Sequence, residues 1–143
     1  MVIIVGSIIK RENKILMIKE AKKECIGKWS FSAGHLEKGE TIQEGALRET
    51  LEETGCTVKL KSLLPIIHDV RNEILVIHFL SEILEENEII KKDEIMEKKW
   101  MTIQEIRNME RENLRFPDRI FDILDAIENK EGYALETIKD INM

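Results

Sequence analysis

The sequence predicts an α+β fold, and three observations carry that expectation. Runs rich in β-branched and aliphatic residues recur at 2–9, 15–18, 57–67 and 73–84, separated by polar stretches. Two segments, one opening at Thr41 and one spanning about Asp118 to Glu128, repeat apolar residues at helical spacing. The chain has 143 residues (16.7 kDa), no internal repeat and no low-complexity linker, the size of one domain with a substantial core.

Taken in order, Val2 to Ile9, a polar turn at 11–14 and Ile15 to Ile18 read as a two-stranded hairpin. Lys19 to Lys28 is a polar loop with several cations. Lys22, Lys23 and Lys28 either face solvent or stand where an ammonium neutralises phosphate. Trp29 to Ser32 is a short strand, with Trp29 in the core, leading into a loop that carries Gly34 and Gly39. Thr41 and Glu44 have capping-box spacing, so a helix starts at Thr41, and Gly55 suits the left-handed residue that closes it. Ala46, Leu47, Thr50 and Leu51 form its mostly apolar arc, and Gly45 reads as leaving open space.

Thr57 to Ile67 reads as a strand that breaks near Pro65, and 68–72 as a turn. Glu73 to Leu84 is the most strand-like run and belongs at the sheet centre, with His78 a satisfied core or sheet residue. Residues 85–99 are highly charged. Thr102 and Glu105 repeat the capping-box spacing. The last helix buries Ile120, Phe121, Ile123, Leu124 and Ile127. Residues 132–143 add a small strand or an irregular cap, and the sequence leaves both open.

Net charge is −6 and the isoelectric point about 5.2, which argues against a nucleic-acid-binding surface. No apolar run is long enough to cross a membrane and no signal-like segment opens the chain, so a membrane partner is not expected. Cys25 and Cys56 lack metal-ligand spacing and suggest a reducing compartment, hence a cytoplasmic protein. The Ile-rich strands are compatible with a monomer or a homodimer.

The chemistry concentrates on the first helix. Glu49, Glu52 and Glu53 stand three and four residues apart on one edge, two of them in the last turn, where the helix dipole disfavours anions. An isolated Glu-Glu pair usually marks a solvated acidic face. Three carboxylates on one edge also form a hard-oxygen site for Mg²⁺ or Mn²⁺, which reverses the sign of their repulsion. Arg48 can pair with Glu44 or Glu52 at helical spacing and orient a ligating carboxylate.

Gly34, Glu40, Arg48, Glu49, Glu52, Glu53 and Gly55 fall at fixed spacing over residues 34–56, and this stretch resembles the Nudix box. Thr50 and Cys56 replace bulky aliphatic residues of that pattern. The resemblance implies a single Nudix domain over 1–143, with a mixed, curved β-sheet sandwiched between helices. It assigns Glu49, Glu52 and Glu53 to Mg²⁺ (or Mn²⁺), one of the three also being a candidate general base, with the carbonyl of Ala33 as a further ligand. Arg48 and Glu40 hold the carboxylates. Ser32 stands where the family usually has proline. Glu94, ahead of Trp100, is a further carboxylate, either ligand or general base, with Glu97 behind it. A histidine beside a metal loop can ligate, although the family ligates through carboxylates, so His35 is a candidate for contact with substrate or metal, or else a plain loop residue.

Residues 32–37 (Ser-Ala-Gly-His-Leu-Glu) and 113–117 (Asn-Leu-Arg-Phe-Pro) further resemble the NudJ-type Nudix phosphatases, which makes Arg115 a substrate contact or a helix-entry salt bridge. The implied activity is Mg²⁺-dependent hydrolysis of the diphosphate linkage in a nucleoside di- or triphosphate or a related small pyrophosphate, by attack of activated water on phosphorus. Lys22, Lys28, His35 and Arg115 are the implied substrate-binding residues. Hydrolysis of ADP-ribose, a dinucleotide polyphosphate or an RNA 5′ end is an alternative. A non-catalytic nucleotide sensor is another, although such proteins usually lose box carboxylates that are all present here.

Overall fold

A computed structural model describes residues 1–141. Eight strands form one mixed sheet: β1 (Val2–Arg11), β2 (Lys14–Glu20), β3 (Trp29–Ser30), β4 (Ser32–His35), β5 (Cys56–Leu63), β6 (Ile67–Asp69), β7 (Ile74–Glu86) and β8 (Ile95–Thr102). Among the described residues three α-helices complete it: α1 (Ile42–Thr54), α2 (Ile103–Arg107) and α3 (Pro117–Glu128). The main strand order is β3-β2-β1-β7-β5, with β4 on β1, β6 on β7 and β8 on β2. β1 runs parallel to β7 from Val2↔Ile74 to Ile9↔Ser81 while its other edge takes β4 and then β2. The expectation that the 73–84 run is central holds.

The sheet is sandwiched because its strands are apolar on both faces. Ile8, Ile15 and Met17 join Ile106 of α2 and Ile120, Ile123, Leu124 and Ile127 of α3 in one core cluster. Their neighbours Val5, Ile9 and Leu16 point the other way, into a cluster with Ala46 of α1 and Phe79. Sequence alternation within β1 and β2 therefore produces both layers.

Several expectations are corrected in detail. The strand before the box extends through Gly34 and His35, which pair with Val5 and Ile4 of β1 instead of forming a loop. His68 and Asp69 lie in β6, not a turn, because β7 offers them a free edge. Leu47 and Leu51 are each 39 % exposed, and the buried side of α1 is Gly45, Ala46, Glu49, Thr50, Glu53 and Thr54. The helix is rotated so that Glu49 and Glu53 face inward. Gly45 does not leave open space: a Cβ there would crowd Leu36 and Val5. Thr50 fits its buried position because its hydroxyl bonds Ser7 Oγ at 2.8 Å and donates to the Ala46 carbonyl at 2.7 Å. Between 132 and 141 the chain forms an irregular cap, with Leu63 and Tyr133 exchanging backbone hydrogen bonds; 142–143 lie outside the described residues. Both cysteines are buried free thiols.

Candidate active site

Both ends of α1 are built as the sequence predicts. The Thr41 hydroxyl accepts from the Glu44 amide at 3.1 Å, and the Glu44 carboxylate accepts from the Thr41 amide at 2.8 Å. Gly55, at φ 75°, terminates the helix through its amide on the Leu51 carbonyl. Lys98 donates to the Thr54 carbonyl at 2.6 Å, a cation that offsets the helix end where the acidic residues stand.

Arg48 organises the box. Its Nε and Nη2 donate to Glu40 at 2.6 and 3.0 Å, and Nη1 donates to Glu49 at 2.7 Å and Glu52 at 3.3 Å. Nη2 also donates to the carbonyl of His35 at 3.0 Å, tying the helix to β4. This corrects one expected partner: Glu44 is held in the capping box and does not meet Arg48. The guanidinium holds the Glu40 carboxyl below its ordinary range, and Glu40 in turn holds Arg48 charged.

Glu49 and Glu53 are buried carboxylates, 6 % and 2 % exposed. The Glu53 carboxyl accepts from the Ala33 amide at 2.9 Å. Burial first, and the Glu49 charge second, push Glu53 up to about 8. The glycine at 34 is obligatory for this arrangement, because a Cβ there would overlap the Glu49 carboxyl. Glu52 is turned outward, with the Lys91 ammonium 2.8 Å away, and Lys91 also lies 3.6 Å from Glu94. Among the described residues no group of three His, Cys, Asp or Glu side chains is gathered as a ready metal site. The donor set nevertheless fits a hard divalent cation. Two buried oxygen donors repel each other, Arg48 reaches Glu49 but not Glu53, and Glu52 sits one turn away on the same edge.

Glu49 and Glu53, but not Glu52, border a cavity of about 550 Å³, within the range of small-ligand sites. Lys22, His35, Glu94 and Arg115 border it too, so the structure brings most of the sequence-predicted residues together. Lys28 is not among them: it borders an adjoining depression with Cys25 and Arg111, which shares Glu24, Arg115 and Phe116 with the cavity. Glu97 is exposed opposite Lys19 on β8, so Glu94 is the acid that reaches the cavity. Ala33 contacts the box through its amide.

Sequence reasoning missed Glu20, Lys91, Phe116 and Arg119, and it placed His78 as a satisfied residue. Glu20 is 2 % exposed and accepts from Arg115 at 3.1 Å, with Lys22 at 3.6 Å. Alternation gave no signal for Glu20, because Ile15 to Ile18 are buried on both faces and the strand register shifts between Lys19 and Glu20. His78 is buried, but its Nδ1 has no hydrogen-bond partner among the described residues. Phe116 and Arg119 carry no sequence signal, since only the left-handed backbone at Phe116, φ 54°, brings them to the cavity.

The NUDIX domain family model matches residues 2–122. An ADP-ribose pyrophosphatase from Methanocaldococcus jannaschii is 37 % identical over 84 residues, which are 56 % of this chain and 50 % of that protein. The human 8-oxo-dGDP phosphatase NUDT18 is 38 % identical over 64 residues, 45 % of this chain and 20 % of that one. The chain thus spans half or less of the length of these curated relatives. A solved NUDIX hydrolase from Nitrosomonas europaea superimposes with a TM-score of 0.86 at 25 % identity, covering 97 % of this chain and 96 % of that one. With the box residues assembled on α1 and β4, and the domain match running through most of the chain, the protein belongs to the Nudix hydrolase family.

Proposed function

We propose that the protein hydrolyses the diphosphate linkage of a nucleoside diphosphate derivative or a related small pyrophosphate, with Mg²⁺ or Mn²⁺ held by Glu49, Glu52, Glu53 and the Ala33 carbonyl. The observation that carries this reading is the buried Glu49–Glu53 pair on the border of a cavity that Lys22, Arg115 and Arg119 also line. Two buried carboxylates are unfavourable side by side until a cation joins them. Cationic side chains in the same cavity suit the oxygens of a diphosphate. When bound, the divalent ion neutralises phosphate charge, polarises the P–O bond and acidifies water. Arg48 and Glu40 keep Glu49 and Glu52 in register with each other. Glu94, on the border of the cavity, takes the proton as a water oxygen bonds to phosphorus and the bridging P–O bond breaks. The two relatives above are named for ADP-ribose and 8-oxo-dGDP, which puts nucleoside diphosphate derivatives first among the candidates.

The test is product release with Mg²⁺ and with EDTA over nucleoside di- and triphosphates, thiamin pyrophosphate, ADP-ribose and dinucleotides. Each reaction is run with and without added pyrophosphatase and phosphatase, and its products are resolved. Metal-dependent release of orthophosphate without helper enzymes supports the small-substrate, NudJ-like reading. Turnover restricted to ADP-ribose or dinucleotides keeps the chemistry and replaces the substrate. No turnover of any diphosphate, with nucleotide still bound, overturns hydrolysis in favour of a sensor.

A further inference from the structure

Glu20 carries a buried charge that the metal chemistry leaves unused. It closes β2, where the pairing with β8 slips by one residue, Lys19 standing opposite Glu97 but Glu20 opposite Ile95. Such irregularities re-aim side chains and recur beside active sites. The Glu20 side chain is 2 % exposed and borders the cavity, in a stretch where Met17, Ile18 and the facing Ile95 are apolar and buried.

Donors from separate parts of the chain converge on this carboxylate. Ser30 donates to Oε1 at 3.4 Å, and the Cys25 thiol donates to Oε2 at 3.3 Å. Arg115 Nη1 donates to Oε2 at 3.1 Å, and the Lys22 ammonium lies 3.6 Å from the same oxygen. The two neutral donors are long, so the cations do most to hold the charge. With Oε2 shared in this way, Glu20 acts on the cations and is not free to serve as a further metal carboxylate.

A structural role alone does not account for the cluster. Apolar residues of similar volume often match or better a buried ion pair in stability, since both charges lose their water. Here both cations border the cavity as well, their side chains 28 % and 27 % exposed. Arg115 is held on two sides. Glu20 is the one side chain it hydrogen-bonds among the described residues, through a single nitrogen, and the Phe116 ring centre lies 5.0 Å from its guanidinium carbon. The rest of the fork keeps donors for a ligand. The backbone beneath is fixed too. The Arg115 amide donates to the Trp29 carbonyl at 2.9 Å, and the Gly27 amide closes the loop of Lys22 on the Glu20 carbonyl at 2.7 Å.

We propose that Glu20 is a positioning residue, which fixes Arg115 and Lys22 as a pair for the oxygens of the diphosphate. The inference rests on the diphosphate-hydrolase reading and adds the group that aims its cations. Without that carboxylate the two cations repel each other and spread over several rotamers, so a ligand has to order them on binding. With it they are ordered before the ligand arrives.

Calorimetry in Mg²⁺ measures the binding of methylenediphosphonate, whose carbon bridge is not hydrolysed, to wild type, Glu20→Gln, Arg115→Ala and the double variant. Glu20→Gln keeps the size of the side chain and removes its charge. It is expected to weaken binding about tenfold and to raise KM for a hydrolysed diphosphate by a similar factor, with kcat within about twofold. Mn²⁺ affinity by electron paramagnetic resonance is expected to stay at the wild-type value. Arg115→Ala is expected to weaken binding at least as much and to lower Tm, because Glu20 loses its nearest cation. Adding Glu20→Gln to that variant is expected to restore part of Tm. It should weaken binding by no more than about threefold further, the share that runs through Lys22. This last comparison decides the matter should Glu20→Gln alone fail to fold.

Losses that multiply to about a hundredfold in the double variant overturn the proposal. So does wild-type affinity in Glu20→Gln, the mark of a merely structural pair, and so does absence of binding by wild type. Weaker Mn²⁺ binding in Glu20→Gln overturns it in favour of a further metal carboxylate. Absence of turnover would overturn hydrolysis and leave these affinities standing. Turnover with unchanged affinity in Glu20→Gln would do the reverse.

Discussion

Arg48 grips Glu40 at both carboxyl oxygens, Nε to Oε2 at 2.6 Å and Nη2 to Oε1 at 3.0 Å, while Nη1 reaches Glu49 and Glu52. Only a planar fork does both at once, and lysine, a single ammonium, does not. Arg48→Lys is therefore expected to fold, lose about 1–2 kcal/mol of stability and lower kcat by roughly 100-fold through misplaced carboxylates. Thermal melts and steady-state kinetics over a Mg²⁺ titration check this. Unchanged kcat at saturating metal would show that Arg48 is only structural.

Gly34→Ala tests the contact between β4 and α1. The added methyl would overlap the Glu49 carboxyl, the far end of a flexible side chain, so the carboxylate moves and the backbone need not. The expected result is a Tm close to wild type with activity reduced about 10- to 100-fold and weaker Mn²⁺ binding by electron paramagnetic resonance. A large Tm loss would instead show that β4 cannot yield.

Glu53→Gln keeps the size of the side chain and its acceptor for the Ala33 amide while removing the charge. Turnover is expected to fall by at least about 1,000-fold, with circular dichroism unchanged. Near-wild-type turnover would remove Glu53 from the metal set.

The same residue gives the metal-free protein a pH signature. Its carboxyl lies at about 8 in the fold against an ordinary 4.5. The folded state therefore keeps a proton that the unfolded chain has released between those values. Stability is full below about 4.5 and is lost as pH rises through about 8. In EDTA, Tm is expected to fall across that window. The slope should flatten in Glu53→Gln, which becomes the more stable protein at pH 8 by at least about 1 kcal/mol, roughly 3 °C for a chain of this size. A parallel decline in both proteins would contradict the assignment.

The box was legible because its parts are local. Thr41, Glu44, Arg48, Glu49, Glu52 and Gly55 act across one to four residues of one helix, where spacing alone dictates direction. The same holds for the Thr102–Glu105 box and for the apolar side of α3. The apolar arc of α1 misled, since Leu47 and Leu51 have the chemistry of a core face but Gly45, Glu49 and Glu53 hold that place. What rotates the helix is the Ser7–Thr50 hydrogen bond and the close approach of Gly34 and Gly45 to their neighbours, contacts made across the fold.

Residue type and spacing thus determined by themselves the α+β class, the central strand, the capped helices and the acidic box. Tertiary structure alone decided that Lys28 leaves the cavity while Glu20, Lys91, Phe116 and Arg119 enter it, and that His78 is buried but unsatisfied. The division has a physical cause. Hydrogen bonds within a helix or a turn are set by separations of a few residues, whereas the cavity joins β1, β2, β4, β7, α1 and the left-handed turn into α3, groups up to about a hundred positions apart, as Glu20 and Arg115 are.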